Sequence, residues 1–100
     1  MVKMRIDLRN KDLDRLRSVL TCFPAVKSAR IFGSRANGTA TRASDIDLAV
    51  EAPALSGAEW SRLKEAIEEA PIIYEIDVVR VDDLQNAALR EKIEREGVEI

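Results

Sequence analysis

The sequence predicts an α+β fold in which a small mixed sheet of about three main strands is packed with helices. Apolar residues recur at helical spacing in three stretches, and branched residues gather in short runs between them. The links between the strand candidates also differ. A short irregular link joins the first two, which favours an antiparallel pair. A link of roughly twenty residues containing a helix joins the second and third, which suits a right-handed crossover to a parallel strand.

The first helix is expected from Asn10 to about Cys22, where Leu13, Leu16, Val19, Leu20 and Phe23 share a face. Asn10 is placed to cap its start, and Pro24 blocks its continuation. A strand over about Val26 to Phe32 stops at Gly33. Gly33 to Ser44 is small and polar, holds Asn37-Gly38, and reads as a loop. Asp45 to Val50 alternates, so Ile46, Leu48 and Val50 face one way while Asp45, Asp47 and Ala49 face the other. Ser56 with Glu59 has the spacing of a capping box and opens a helix with Trp60, Leu63 and Ile67 on one side. Pro71 marks its exit. Ile72 to Val81 is the strand richest in branched residues. Asp82 with Gln85 resembles another cap, ahead of a last helix that carries Leu84, Ala88, Leu89 and Ile93 and ends at Gly97.

Composition bounds the chemistry. One hundred residues, 46% hydrophobic and 34% charged, describe one globular domain, taken here as residues 1–100. No apolar run approaches the roughly 20 residues of a membrane span. The first residues lack the long apolar stretch and cleavage site of a secretory signal, and the single cysteine, Cys22, suits a reducing compartment; the expected location is the cytoplasm. With no histidine, this chain supplies no Ser-His-Asp triad, no histidine metal ligand and no imidazole shuttle. Acid–base and metal chemistry must fall mainly to carboxylates. A formal charge of −2 argues against an extended nucleic-acid-binding face.

Asp45-Ile46-Asp47 is the most informative triplet. Residues i and i+2 of a strand face the same side, roughly 6–7 Å apart at their α-carbons. Two carboxylates held there repel unless a cation intervenes, and two divalent ions about 3.5–4 Å apart would resolve the conflict. Magnesium fits, because it takes oxygen ligands and commonly binds one or two carboxylates plus substrate phosphates. Taken alone, the triplet reads more readily as a solvent-facing strand edge. The loop before it adds a second feature. Gly33-Ser34 directly follows a strand, where glycine lets the backbone approach a ligand. Ser34-Arg35-Ala36-Asn37 could form a short turn whose N–H groups meet a phosphate, with charge from Arg35 or Arg42. A plain hairpin turn around Asn37-Gly38 is the alternative. Gly33, Ser34, Arg35 and Ser44 are the candidate phosphate contacts. Asp77, within Ile76-Asp77-Val78-Val79, is the candidate third carboxylate, and Glu75 on the same strand face is its rival.

Gly33-Ser34, ten residues from Arg35 to Ser44, and then Asp45-Ile46-Asp47 resemble the signature of the DNA polymerase β-like nucleotidyltransferases, and specifically their minimal nucleotidyltransferase (MNT) branch. Asp77 falls on that family's downstream hydrophobic-Asp-Val-Val pattern. The resemblance implies the nucleotidyltransferase fold, two Mg²⁺ ions held by Asp45, Asp47 and Asp77, and ATP as donor, its triphosphate bound by Gly33 and Ser34. It also implies a partner. Stand-alone members of this branch pair with a small helical HEPN protein, the toxin of a toxin–antitoxin system, and neutralise it by attaching AMP to a tyrosine. The chain is therefore expected to be a protein adenylyltransferase antitoxin. Two other readings stay open, a non-catalytic antitoxin that acts by binding and an enzyme that modifies a small molecule. Larger relatives carry an extra domain that shapes the acceptor pocket, so a second chain or a second copy is expected to supply that surface here, in a homo- or hetero-oligomer.

Remaining residues carry plainer expectations. Trp60, Phe23, Leu63 and Ile67 read as core, Tyr74 as a packed strand tyrosine or a stacking platform, and Cys22 as a small buried hydrophobe. The charged run Arg90 to Glu96 reads as a solvated helix face or an interface.

Overall fold

A computed structural model describes residues 6–100; residues 1–5, which carry most of the N-terminal stretch read above as lacking a secretory signal, lie outside the described residues. The elements run α1 (Asn10–Thr21), β1 (Ser28–Phe32), α2 (Ser34–Asn37), β2 (Ile46–Glu51), α3 (Gly57–Glu69), β3 (Ile76–Arg80), a 3₁₀ turn (Val81–Asp83), α4 (Ala87–Glu96) and β4 (Val98–Glu99). The sheet order is β3-β2-β1-β4. β1 and β2 are antiparallel and β2 and β3 parallel, as the link lengths predict. The strand count is four among the described residues, not about three. The two-residue β4 pairs antiparallel with β1 through Arg30↔Glu99 and Ile31↔Val98. A strand this short has no periodicity to read, and only the return of the chain past Gly97 creates it.

Strand alternation assigns the two faces of the sheet. Ala29, Ile31, Ile46, Leu48 and Val50 point to one side, where Leu16 of α1 and Leu63 and Ile67 of α3 complete the main core. Most of these side chains are fully buried, and each fully buried Leu, Ile or Val contributes about 1.5–3 kcal/mol. Trp60 and Phe23 pack on the rim of this cluster. The opposite side is smaller. Phe32, Ala49 and Ile93 of α4 form its centre, joined by Val79, Val81, Leu84 and Leu89. Ala49 is the small residue of β2 that lets α4 settle against the sheet.

Helix α3 has the full capping box. Ser56 Oγ accepts from the Glu59 N–H at 3.1 Å, and Glu59 Oε1 accepts from the Ser56 N–H at 3.3 Å. The other two expected caps differ. Arg9, not Asn10, occupies the N-cap of α1, without a side-chain cap bond. Asp12 is buried inside the first turn and takes Arg9 Nε at 2.8 Å and Nη2 at 3.0 Å. At α4 the cap is Asn86, whose Oδ1 accepts from the Leu89 N–H at 3.1 Å. Asp82 instead reaches across to the Ala52 N–H at 2.8 Å, beside Arg80, whose Nη2 donates to the carbonyls of Ala52 and Leu55 at 2.7 and 2.6 Å. β3 is correspondingly shorter than the branched run Ile72–Val81. Residues 72–75 stay irregular and the chain turns at Val81. Cys22 is exposed, because it caps the solvent end of α1.

Candidate active site

The candidate residues come from three chain segments that end at the same border of the sheet. β1 is antiparallel to β2, so its last residue, Phe32, lies beside Asp47 near the start of β2. β3 is parallel to β2, so Asp77 near its start also lies beside Asp47. Phe32, Asp47 and Asp77 thus form one row across three strands, on the face covered farther along by α4. Asp45 stands two residues before Asp47, just ahead of β2, where its charge acts on the Asp47 carboxyl. The Ile46 N–H donates to the Glu75 carbonyl at 2.8 Å and pins the two strand starts together.

Charge in this row is crowded. Asp47 is half-buried, and its carboxyl is pushed above the usual carboxylate range by that burial first, then by the charges of Asp77 and Asp45. Glu75, the rival to Asp77, does not figure among the charges acting on it. Lys92 of α4 opposes the shift. The sequence gives no sign of this, since Lys92 sits in a charged helical run and comes near Asp47 only because Ile93 beside it packs on Phe32 and Ala49. Asp45 and Asp77 are exposed. Among the described residues, no three acidic or thiol groups converge closely enough to form a ready-made cation cage.

Gly33 follows Phe32 with φ 71° and ψ −151°, a region that residues bearing a Cβ avoid. A Cβ at this position would also collide with the Asp47 carboxylate. Two constraints therefore demand glycine here: the backbone conformation and the closeness of β2. The chain then makes the short turn α2, with the Ala36 and Asn37 N–H groups both donating to the Gly33 carbonyl at 3.0 Å. Ser34 is half-buried on this turn.

Arg35 and Ser44 are placed differently from a surface phosphate grip. Arg35 is only 4% exposed. Its Nη1 donates to the Asp7 carbonyl at 3.1 Å and its Nη2 to the Ser44 carbonyl at 2.7 Å, while the guanidinium carbon lies 4.2 Å from the centre of the Tyr74 ring. Ser44 Oγ is engaged within the loop, accepting from the Thr41 N–H at 2.8 Å. Arg42 is exposed. Tyr74 packs against the main core from the irregular segment before β3, with one face given to Arg35.

A profile of the polymerase beta nucleotidyltransferases matches residues 14–100, a span that holds every candidate residue. The chain belongs to that family. Solved structures agree on the nucleotidyltransferase fold. One, a minimal nucleotidyltransferase, is 31% identical with a TM-score of 0.69, over 88% of this chain and 91% of the other. A toxin–antitoxin crystal structure with AMP-PNP matches 92% of this chain and 72% of its own, at 25% identity and a TM-score of 0.63. A mutant of the toxin–antitoxin MntA-HpeT, with two aspartates two positions apart changed to glutamate, matches at 26% identity and a TM-score of 0.60, over 92% and 72%. A search of curated protein sequences finds no match. The nucleotidyltransferase family and the minimal branch implied by the Gly-Ser and Asp-x-Asp spacing are thus established, and no described helix is long and apolar enough to cross a membrane.

Proposed function

We propose that this nucleotidyltransferase is the antitoxin of a toxin–antitoxin pair and transfers AMP from ATP to a tyrosine hydroxyl of a cytoplasmic HEPN-type toxin. The observation that carries the reading is the side-by-side register of Asp47 and Asp77, with the charge of Asp45 acting on Asp47 and Gly33 pressed against it. Toxin–antitoxin relatives at 25–26% identity support the biological role, and the relative crystallised with AMP-PNP supports an adenosine triphosphate donor. HEPN as the partner class rests on the sequence resemblance.

In this reading Asp45, Asp47 and Asp77 hold Mg²⁺, two ions being expected. The fit rests on two features of the site. Its donors are hard carboxylate oxygens, and burial first, then the charges of Asp77 and Asp45, disfavours an ionised Asp47 that a cation would stabilise. A complete protein cage is not required, because Mg²⁺ is usually completed by substrate phosphates and water. When bound, the ions supply charge neutralisation at the phosphates and lower the pKa of a coordinated hydroxyl. Gly33 provides a stretch of backbone with no side chain between it and the triphosphate, and Ser34 offers a hydroxyl donor to a phosphate oxygen. The acceptor hydroxyl, which Asp77 would orient, gives up its proton to a site carboxylate as its oxygen bonds to the α-phosphorus, and the bond to pyrophosphate breaks with its electron pair leaving on pyrophosphate. The chain's contribution is positioning and electrostatics, as in phosphoryl transfer generally.

The test combines purified protein, Mg²⁺, ATP and the HEPN-type partner that this reading requires. Mass spectrometry should show the partner heavier by AMP units, and Asp45→Asn or Asp47→Asn should abolish the gain without unfolding the protein. Asn variants that neutralise the partner at equal dose would instead establish an antitoxin that acts by binding alone. AMP appearing on a small-molecule hydroxyl, with the partner unmodified, would move the acceptor to that class.

A further inference from the structure

Arg35 is a cation without a carboxylate partner among the described residues, in the interior of a small protein. Burying an unpaired charge is costly, so its surroundings must compensate. They do so in part, with two carbonyls and a ring face: Asp7 O at 3.1 Å, Ser44 O at 2.7 Å, and Tyr74 at 4.2 Å, while the buried Nε is left without an acceptor. The Asp7 N–H in turn donates to the Arg35 carbonyl at 2.8 Å, closing a two-way bond between these segments. Arg9, held by Asp12, lies 5.9 Å from the same ring.

The partners are notable for where they sit in the chain. Arg35 directly follows Gly33-Ser34. Ser44 directly precedes Asp45. Tyr74 lies three residues before Asp77. One guanidinium therefore touches each of the three segments that deliver candidate site residues, and it does so from within the protein.

We infer that Arg35 is a positioning residue, a clamp that fixes the Gly33-Ser34 bend, the Asp45-Asp47 segment and the approach to Asp77 relative to one another. This rests on the proposed nucleotide-binding role of the site. It replaces the direct phosphate contact expected from sequence. A planar fork suits the task better than an ammonium, since two carbonyls in different directions and a stacked ring must be engaged together. The ring contact uses the face of Tyr74, so a phenylalanine serves equally well there.

The experiment measures two properties of Arg35→Lys, Arg35→Met, Tyr74→Leu and Tyr74→Phe below their melting temperatures. The first is affinity for Mg²⁺–AMP-PNP and Mg²⁺–ADP by calorimetry, and the second is amide hydrogen exchange without nucleotide. Arg35→Lys keeps the charge but loses the fork. It should weaken both nucleotides by the same factor, about tenfold or more, because small misplacements of binding groups are expensive. Exchange at Ala36 and Ile46 should quicken by about tenfold while α3 is unchanged. Tyr74→Leu should behave similarly, the double variant should be no worse than the worse single one, and Tyr74→Phe should match wild type. A loss confined to AMP-PNP would assign Arg35 to the terminal phosphate and overturn the clamp, as would an Arg35→Met protein that binds like wild type. Wild-type protein that binds neither nucleotide would sink the catalytic reading and the positioning role together, whereas normal wild-type binding with unaltered exchange in the variants sinks only the clamp.

Discussion

Asp47 and Asp77 face each other at one register position of two parallel strands, and the Asp47 carboxyl is held above the usual carboxylate range. A raised carboxylate means that the folded state holds the proton more tightly than the unfolded chain. Stability therefore falls as pH rises through the window between the unfolded and folded values, and the penalty persists at neutral pH. Asp47→Asn removes the ionisation. Melting curves across pH should show the variant more stable than wild type at pH 7, with the advantage shrinking once the medium is acid enough to protonate both states. Mg²⁺ should raise the wild-type melting temperature and leave the variant's nearly unchanged; equal metal responses would argue against a cation at Asp47.

Lys92 acts on the same group with the opposite sign. Replacing it with methionine should move the Asp47 titration further upward, visible as a shift of its side-chain carboxyl resonance by NMR. An unmoved titration would remove Lys92 from the electrostatics of the site.

Gly33→Ala faces both a forbidden backbone region and a collision with the Asp47 carboxylate. The conformational strain alone is worth about 1–3 kcal/mol. Denaturant melts should register a loss of at least that size, and Mg²⁺–AMP-PNP binding should disappear. By contrast, Gly38 also has positive φ but open space around it, so Gly38→Ala should cost stability and spare binding.

Arg80 satisfies the carbonyls of Ala52 and Leu55, which carry the chain from β2 towards α3. Arg80→Met should destabilise the protein by about 1–3 kcal/mol by leaving buried acceptors without donors. Ser56→Ala, which breaks the capping box, should cost about 1 kcal/mol. Urea unfolding of both variants checks the order, and a more severe Ser56→Ala would contradict it.

Much of the fold was legible because strand alternation and link length are local properties. Ile46, Leu48 and Val50 had to share a face, and a short loop on one side of β2 with a helix-bearing crossover on the other set its two pairings. Gly33, Asp45, Asp47 and Asp77 were visible for the same reason: their spacing along the chain is itself the pattern. Caps were less legible where a side chain had another partner, Asp82 in the distant Ala52 N–H and Arg9 in Asp12 three residues on.

The sequence by itself determined which residues carry charge, which strands alternate and which glycine lies next to the aspartates. Tertiary structure alone decided what those groups meet. It turned Arg35 inward onto Ser44 and Tyr74, brought Lys92 towards Asp47 over one face of the sheet, and added β4 at the sheet's edge. The physical reason is that burial and charge–charge energies depend on distances between segments far apart in the chain, and no local spacing encodes those distances.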